Sequence, residues 1–184
     1  MSGAGTLHRS LPMDRFIATV AAISRLCGVA AAALILLAVG IICEMVFVRY
    51  ALNQQTIWQT EFVTYALIFA TFIGSPYVLL HHGHVNVDLL PLHLGPRGRF
   101  WLALAAAVVS FAFALLLAVL GYFWWDEAWS KGWQSDTVWR ARLWIPYLGM
   151  PIGMGLLSLQ YLAEIFALAT GRALPFGLDP EKPQ

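Results

Sequence analysis

Four long apolar runs constrain this chain more than any other feature of its sequence. They cover residues 26–48, 62–80, 100–125 and 144–168, and charged, histidine or glycine residues bound each of them. About 20 helical residues cross the hydrocarbon core of a bilayer, so each run is long enough to span a membrane once. Of the 184 residues, 60% are hydrophobic and 11% are charged, which is more apolar surface than a soluble domain of this size can bury. The sequence therefore predicts an all-α membrane protein with four transmembrane helices, and it excludes a soluble enzyme or a disordered chain.

Two segments outside these runs predict additional interfacial amphipathic helices. Residues 12–25 begin with Asp14 as a helix N-cap and mix arginines with aliphatic side chains, which is typical of a short helix on the inner membrane surface. Residues 126–143 mix charges with tryptophans and indicate an outer interfacial helix that breaks near Gly132. A loop or an extension of the neighbouring span is the alternative for both segments. The predicted organisation is an N-terminal segment over 1–25, a membrane domain over 26–168 and a tail over 169–184.

The basic residues are unequally shared between the two sides of the membrane. Four spans place both termini on one side, which carries seven of the 11 Lys and Arg residues. Cytoplasmic loops carry the excess of basic residues, so we expect both termini in the cytoplasm. Seven of the eight tryptophans lie at or between the opposite ends of the spans, where an indole ring is buried and its N–H reaches water. The seven basic residues are Arg9, Arg15, Arg25, Arg97, Arg99, Arg172 and Lys182.

The sequence offers no motif for catalysis, a cofactor or a metal. The residues after the second run include the metal-ligand types His81, His82, His84, Asp88 and His93, but their spacing matches no zinc pattern. A haem within the bilayer would need histidines deep in two facing spans, and no run contains one. The net charge of +1 gives no basic field for nucleic acid. We therefore expect neither an enzyme nor a cofactor- or metal-binding protein, and no nucleic-acid partner.

Ionisable residues inside the runs are the candidates for function, because burying them in a bilayer is costly unless they are paired. Glu44 lies in the first run, about 7.5 Å before Arg49 along a helix, and Glu61 opens the second run at the same face. A short loop joins these runs, so we expect Arg49 and Glu61 to form a charge-assisted pair, within the chain or at a subunit interface. Contact of both with headgroups and water, or a proton relay, are the alternatives.

Four short motifs follow one another from the end of the first run into the fourth. They are Arg49-Tyr50, Trp58-Gln59-Thr60-Glu61, the segment Gly83-His84-Val85-Asn86-Val87-Asp88, and Pro146 with Pro151-Ile152-Gly153. Over residues 34–168 this order resembles the small membrane subunit (DctQ-like) of tripartite ATP-independent periplasmic (TRAP) transporters. The chain departs from the family's pattern at one place, because Thr60 precedes a single Glu61 where the family often has two adjacent acids.

The resemblance implies a role that the residues alone do not show. In such systems a periplasmic substrate-binding protein delivers an organic acid or similar solute. A large elevator-type subunit then imports it by sodium symport across the bacterial inner membrane. The small subunit pairs with the large one and anchors its scaffold in the lipid bilayer. Two other classes remain open from the residues, namely a four-span redox subunit handling haem or quinone and a stand-alone carrier.

Six residues are singled out for structural or interface roles, and none for catalysis, substrate binding or metal binding. His84 and Asp88 match the family's motif after the second span. We expect them to fix the shape of that loop through bonds to each other or to nearby backbone, with a solvated loop as the alternative. The six residues are Glu44, Arg49, Trp58, Glu61, His84 and Asp88.

Overall fold

Long helices account for almost all of the described chain. The structure, a computed structural model, describes residues 12–81 and 95–170. This part of the chain contains four helical stretches that are long and apolar enough to cross a membrane, so the predicted all-α fold with four spans is confirmed. The helices are α1 (Pro12–Ala51), α2 (Gln59–Leu80), α3 (Pro96–Ser130), α4 (Trp144–Tyr147) and α5 (Gly149–Ala169), of which α4 and α5 together form the fourth span.

The helix α1 differs from its sequence-based prediction at its N-terminal half. The predicted boundary at Arg25 is absent, because one helix of 40 residues includes both residues 12–25 and the first span. Val20 and Ser24 are buried in the bundle, so this segment packs as a continuation of the span. Arg25 lies on the exposed side of the helix, where a charge does not interrupt it.

The segment predicted as an outer interfacial helix is divided between a helix and a loop. The helix α3 continues to Ser130, five residues beyond the predicted end of the third span at Trp125. The predicted break near Gly132 is present, since Gly132 has a positive φ of 61° just after the helix. A glycine adopts this left-handed conformation without the steric cost that a side chain would add. Beyond it the chain folds back on itself before α4 begins.

Residues 133–143 form a hairpin-like loop, called here the 133–143 hairpin. The Ser135 amide donates to the Ala141 carbonyl at 2.9 Å, and the Leu143 amide donates to the Trp133 carbonyl at 3.0 Å. These cross-bonds satisfy backbone groups that would otherwise need water. The hairpin and the loop between α1 and α2 lie at the same end of the bundle, which is called the hairpin end below.

The helices pack in the order α1, α2, α5, α3, with α1 and α3 at the two ends of the row. Small residues lie where neighbouring helices meet. Ala38 and Ala66 pack between α1 and α2, and Ala103 and Ala107 pack with Leu168 between α3 and α5. Small side chains let helices in a bilayer approach closely, and the van der Waals packing that results contributes to their association.

One close contact between α2 and α5 is built around a proline. Pro76 lies inside α2 and has no N–H to donate to the Phe72 carbonyl one turn earlier. The Ser75 hydroxyl donates to that carbonyl instead, at 2.8 Å. The same carbonyl faces Gly153 of α5, where an added Cβ would lie 2.3 Å from the Phe72 oxygen. Only a glycine therefore fits at this crossing.

Candidate functional site

The predicted ion pair between Arg49 and Glu61 is not formed within this chain. Arg49 ends α1, and its Nε donates to the Thr56 hydroxyl at 2.7 Å within the following loop. The Glu61 carboxylate accepts from the hydroxyls of Tyr65 and Thr137. Arg49 and Glu61 thus each bond to neutral side chains and not to each other. A shared role for the two charges at a subunit interface stays a prediction.

Glu61 connects α2 to the 133–143 hairpin. Tyr65 lies one helical turn further along α2, whereas Thr137 is 76 residues away at the turn of the hairpin. Hydrogen bonds to an ionised carboxylate are stronger than those between neutral groups. Glu61 therefore fixes the hairpin over the beginning of α2.

Trp58 adds aromatic contacts between the beginning of α2 and the 133–143 hairpin. It immediately precedes α2, and its ring centroid lies 6.0 Å from that of Phe62 and 6.3 Å from that of Trp139 in the hairpin. Trp129 of α3 and Trp144 of α4 stack edge to face at 4.6 Å at the same end. Aromatic pairs at these distances add to the energy of burial, and they place indole rings at the level where membranes meet water.

Arg49 lines a cavity in the loop between α1 and α2. This cavity has a volume of about 420 Å³, and Asn53, Gln54, Gln55 and Thr56 form the rest of its wall. Asn53 has a positive φ of 49°, a conformation that asparagine adopts more readily than most residues. The cavity is polar and lies at the surface of the hairpin end.

Glu44 lies beside the first residue of α2. Gln59 is buried, with 6% of its surface exposed, and its amide nitrogen lies 3.4 Å from a Glu44 carboxylate oxygen. That distance is at the long limit for a hydrogen bond. The amide oxygen of Gln59 is buried and has no partner, which is an unusual and costly state for a polar atom.

One further polar contact joins two helices inside the bundle, and the sequence did not indicate it. The Ser24 hydroxyl of α1 donates to the amide oxygen of Gln160 in α5 at 2.9 Å, and both side chains are buried. Ser24 fell in the segment assigned to the membrane surface, so its burial was not expected. At Gln160 the sequence did carry a signal for such a contact, namely a polar side chain within an apolar run.

Comparison with known proteins assigns the family. Residues 38–171 match the family described as tripartite ATP-independent periplasmic transporters, DctQ component. The chain belongs to the DctQ family. The predicted family resemblance is thereby confirmed, and the matched region includes all six residues singled out for structural or interface roles.

A curated relative supports the assignment to the DctQ family. The C4-dicarboxylate TRAP transporter small permease protein DctQ of Vibrio cholerae serotype O1 is 26% identical to this chain over 149 residues. The match covers 69% of this chain and 64% of the relative, so it spans slightly less than two thirds of that protein's length. No solved structure gives a significant match.

Two of the six residues lie outside the described part of this DctQ chain. His84 and Asp88 fall between residues 81 and 95, so their predicted role in the loop stays a prediction. His81 caps the end of α2, and its ring centroid lies 4.4 Å from that of Tyr77. Among residues 12–81 and 95–170 no group of three potential metal ligands occurs, and Cys27 and Cys43 are both free.

Proposed function

We propose that this chain is the small permease subunit of a TRAP transporter in a bacterial inner membrane. In this proposal it pairs with a large sodium-coupled subunit and anchors that subunit's scaffold in the bilayer. A periplasmic binding protein would deliver the transported organic acid. The name of the Vibrio cholerae relative makes C4-dicarboxylates the first substrates to test.

The observation that carries this proposal is the DctQ match over residues 38–171, which spans most of the membrane part of the chain. The packing of the helices in a row also supports the proposal, because α1 and α3 leave broad apolar surfaces exposed at the two ends of the row. Apolar surface of this extent is typical of contact with lipid or with another membrane subunit. Such a row is suited to support a partner from the side.

The polar contacts of the described residues support a scaffold role as well. Ser24 and Gln160 bond to each other, and the Ser158 hydroxyl donates to the Gly155 carbonyl of its own helix. The two hydroxyls and the Gln160 amide oxygen are therefore bonded within the chain and are not free to bind a solute. We infer that translocation needs a second subunit.

Reconstitution tests this proposal. Proteoliposomes containing the tagged chain with the co-expressed large subunit, supplied with binding protein and succinate, are expected to take up substrate when sodium is imposed outside. Vesicles with the chain alone are expected to take up none, because the proposal places translocation in the large subunit. Uptake by the chain alone would contradict the proposal, and so would uptake by the large subunit at the same rate without this chain.

The proposed orientation has its own test. Because seven of the 11 basic residues lie on one side, Lys131 is expected to face the periplasm and both termini the cytoplasm. In a variant with Cys27 and Cys43 replaced by alanine, Lys131→Cys should react with an impermeant maleimide applied to intact spheroplasts. Ser2→Cys should react only after the membrane is permeabilised. The reverse pattern would contradict the orientation.

A further inference from the structure

The end of α1 and the loop after it form a polar cavity that the proposed function does not use. Its volume is about 420 Å³, which is within the range of small-molecule sites. One cation, three carboxamides and one hydroxyl form its wall, and among the described residues no carboxylate belongs to it. These side chains are Arg49, Asn53, Gln54, Gln55 and Thr56. The cavity is therefore positively charged and rich in N–H donors, which suits an anion.

The backbone at the end of α1 gives the cavity a defined shape. Asn53 has a positive φ of 49°, and a left-handed residue just after a helix reverses the chain. The Gln54 amide then donates to the Val48 carbonyl at 3.2 Å, which satisfies one of the last carbonyls of α1. The returning loop brings the Thr56 hydroxyl to the Nε of Arg49. The wall of the cavity is thus built on a capped helix end.

Arg49 has hydrogen-bond donors that the described chain does not use. Its Nε donates to the Thr56 hydroxyl, which leaves the N–H groups of its two Nη atoms. Over residues 12–81 and 95–170 no carboxylate pairs with Arg49. A guanidinium fork fits two oxygens of a phosphate at once. Thr56 therefore orients a phosphate-binding group at the wall of the cavity.

The level of Arg49 relative to the bilayer indicates where this phosphate comes from. Glu44 lies beside Gln59, which follows Trp58 at the level where the membrane meets water. Arg49 is five residues further along α1, or about 7.5 Å. The headgroup layer on each side of the hydrocarbon core is about 5–7 Å thick. Helical side chains tilt toward the N-terminus of the helix, so the guanidinium of Arg49 reaches back to the level of the lipid phosphates.

Apolar side chains on both sides of the loop favour a lipid over a free phosphate ion. Leu52 and Ile57 directly flank the segment that lines the cavity, and both are exposed. A phosphate ion has nothing to place against them. A phospholipid carries acyl chains next to its phosphate, and these chains gain free energy when they cover apolar surface.

We propose that this cavity binds the headgroup of an anionic phospholipid such as phosphatidylglycerol. Arg49 binds the phosphate oxygens, and the carboxamides of Asn53, Gln54 and Gln55 bind the rest of the headgroup. A zwitterionic headgroup fits less well, because its ammonium would lie close to Arg49. The bound lipid holds the loop between α1 and α2 at a fixed level in the membrane. This binding needs only the present chain and does not depend on the large subunit.

Native mass spectrometry of the full chain measures this binding. The purified chain is titrated in nonionic detergent with phosphatidylglycerol, and the lipid-bound and lipid-free masses are compared. The wild type is expected to bind one lipid at least about tenfold more tightly than Arg49→Gln, because that change removes charge-assisted hydrogen bonds. Equal binding by the two forms would overturn the proposal.

Arg142→Gln is the matched control for loss of charge. It removes the same charge from an exposed position in the 133–143 hairpin, at the same end of the bundle but outside the wall of the cavity. This variant should bind phosphatidylglycerol like the wild type. A loss as large as that in Arg49→Gln would mean that the lipid responds to the overall charge of this end, and the cavity would not be its site.

Gln54→Glu tests the cavity without changing Arg49. Gln54 is exposed, so the fold should tolerate a side chain of the same size. The new carboxylate would pair with Arg49 and repel a phosphate, so binding should be lost. Wild-type affinity in Gln54→Glu would contradict the proposal, and this variant decides the matter if Arg49→Gln fails to fold.

Other ligands distinguish the possible sources of the phosphate. Phosphatidylcholine with the same acyl chains should bind about tenfold more weakly than phosphatidylglycerol. Inorganic phosphate in large excess should leave the phosphatidylglycerol bound. Displacement of the lipid by inorganic phosphate would make the free ion the ligand, and equal affinity for phosphatidylcholine would remove the preference for an anionic headgroup. Either result overturns the proposal.

Discussion

Gly153→Ala is expected to destabilise the helix bundle by about 2–3 kcal/mol, because it forces overpacking at a contact that cannot adjust easily. The new methyl group would lie 2.3 Å from the carbonyl oxygen of Phe72. Backbone atoms of a helix cannot move aside like the end of a flexible side chain, so α2 and α5 must separate. A lower midpoint of thermal unfolding in detergent would measure the effect.

Gly155→Ala provides the matched control in the same helix. A Cβ added at this position would meet nothing within 4 Å. Alanine favours helix formation over glycine by up to about 1 kcal/mol, so this variant should be neutral or slightly more stable. Equal destabilisation by the two substitutions would show that the contact with Phe72 is not the cause.

Ser24→Ala is expected to cost about 1–3 kcal/mol, because it leaves the buried amide oxygen of Gln160 without its donor. Gln160→Leu should cost less. The amide then disappears, and the Ser24 hydroxyl can donate to the carbonyl one turn earlier in its own helix. A larger loss of stability in Ser24→Ala than in Gln160→Leu is thus a stronger test than the size of either loss.

The double variant completes this test. Ser24→Ala combined with Gln160→Leu removes both polar groups and should cost less than the sum of the single changes, because no unpaired group remains. Unfolding of each variant in mixed detergent micelles gives the four free energies. Strictly additive losses would mean that the bond between α1 and α5 does not contribute to stability.

The sequence alone was sufficient for the number of spans and for the family. Span length, polar boundaries and the positions of tryptophan depend on local composition, and the bilayer requires them of any such chain. The order of the motifs, above all the segment from His84 to Asp88 after a span that begins with Trp58 and Glu61, was enough to indicate the DctQ family. Both predictions depend on composition and short motifs, which can be read without knowing which distant residues are in contact.

Contacts between distant residues could not be predicted in this way. The partner of Glu61 is Thr137, 76 residues further along, and nothing in the spacing of either residue marks the pair. The Arg49 prediction used the short loop as its argument and missed Thr56, a neutral partner within that same loop. The continuation of α1 through Arg25 was missed because a charge was read as a boundary, whereas an exposed position tolerates it.

The unequal lengths of the helices determine how this protein can sit in a bilayer. The helix α2 has 22 residues and measures about 33 Å, close to the thickness of the hydrocarbon core. Hydrophobic mismatch of long helices is often relieved by tilting, but tilting this row would draw the polar ends of α2 into lipid. The helices α1, with 40 residues, and α3, with 35, are longer than this thickness, so we expect one end of each to extend beyond the hydrocarbon core. Since these helices run in the same direction, we expect the N-terminal part of α1 and the C-terminal part of α3 to extend from opposite sides of the membrane, at opposite ends of the row.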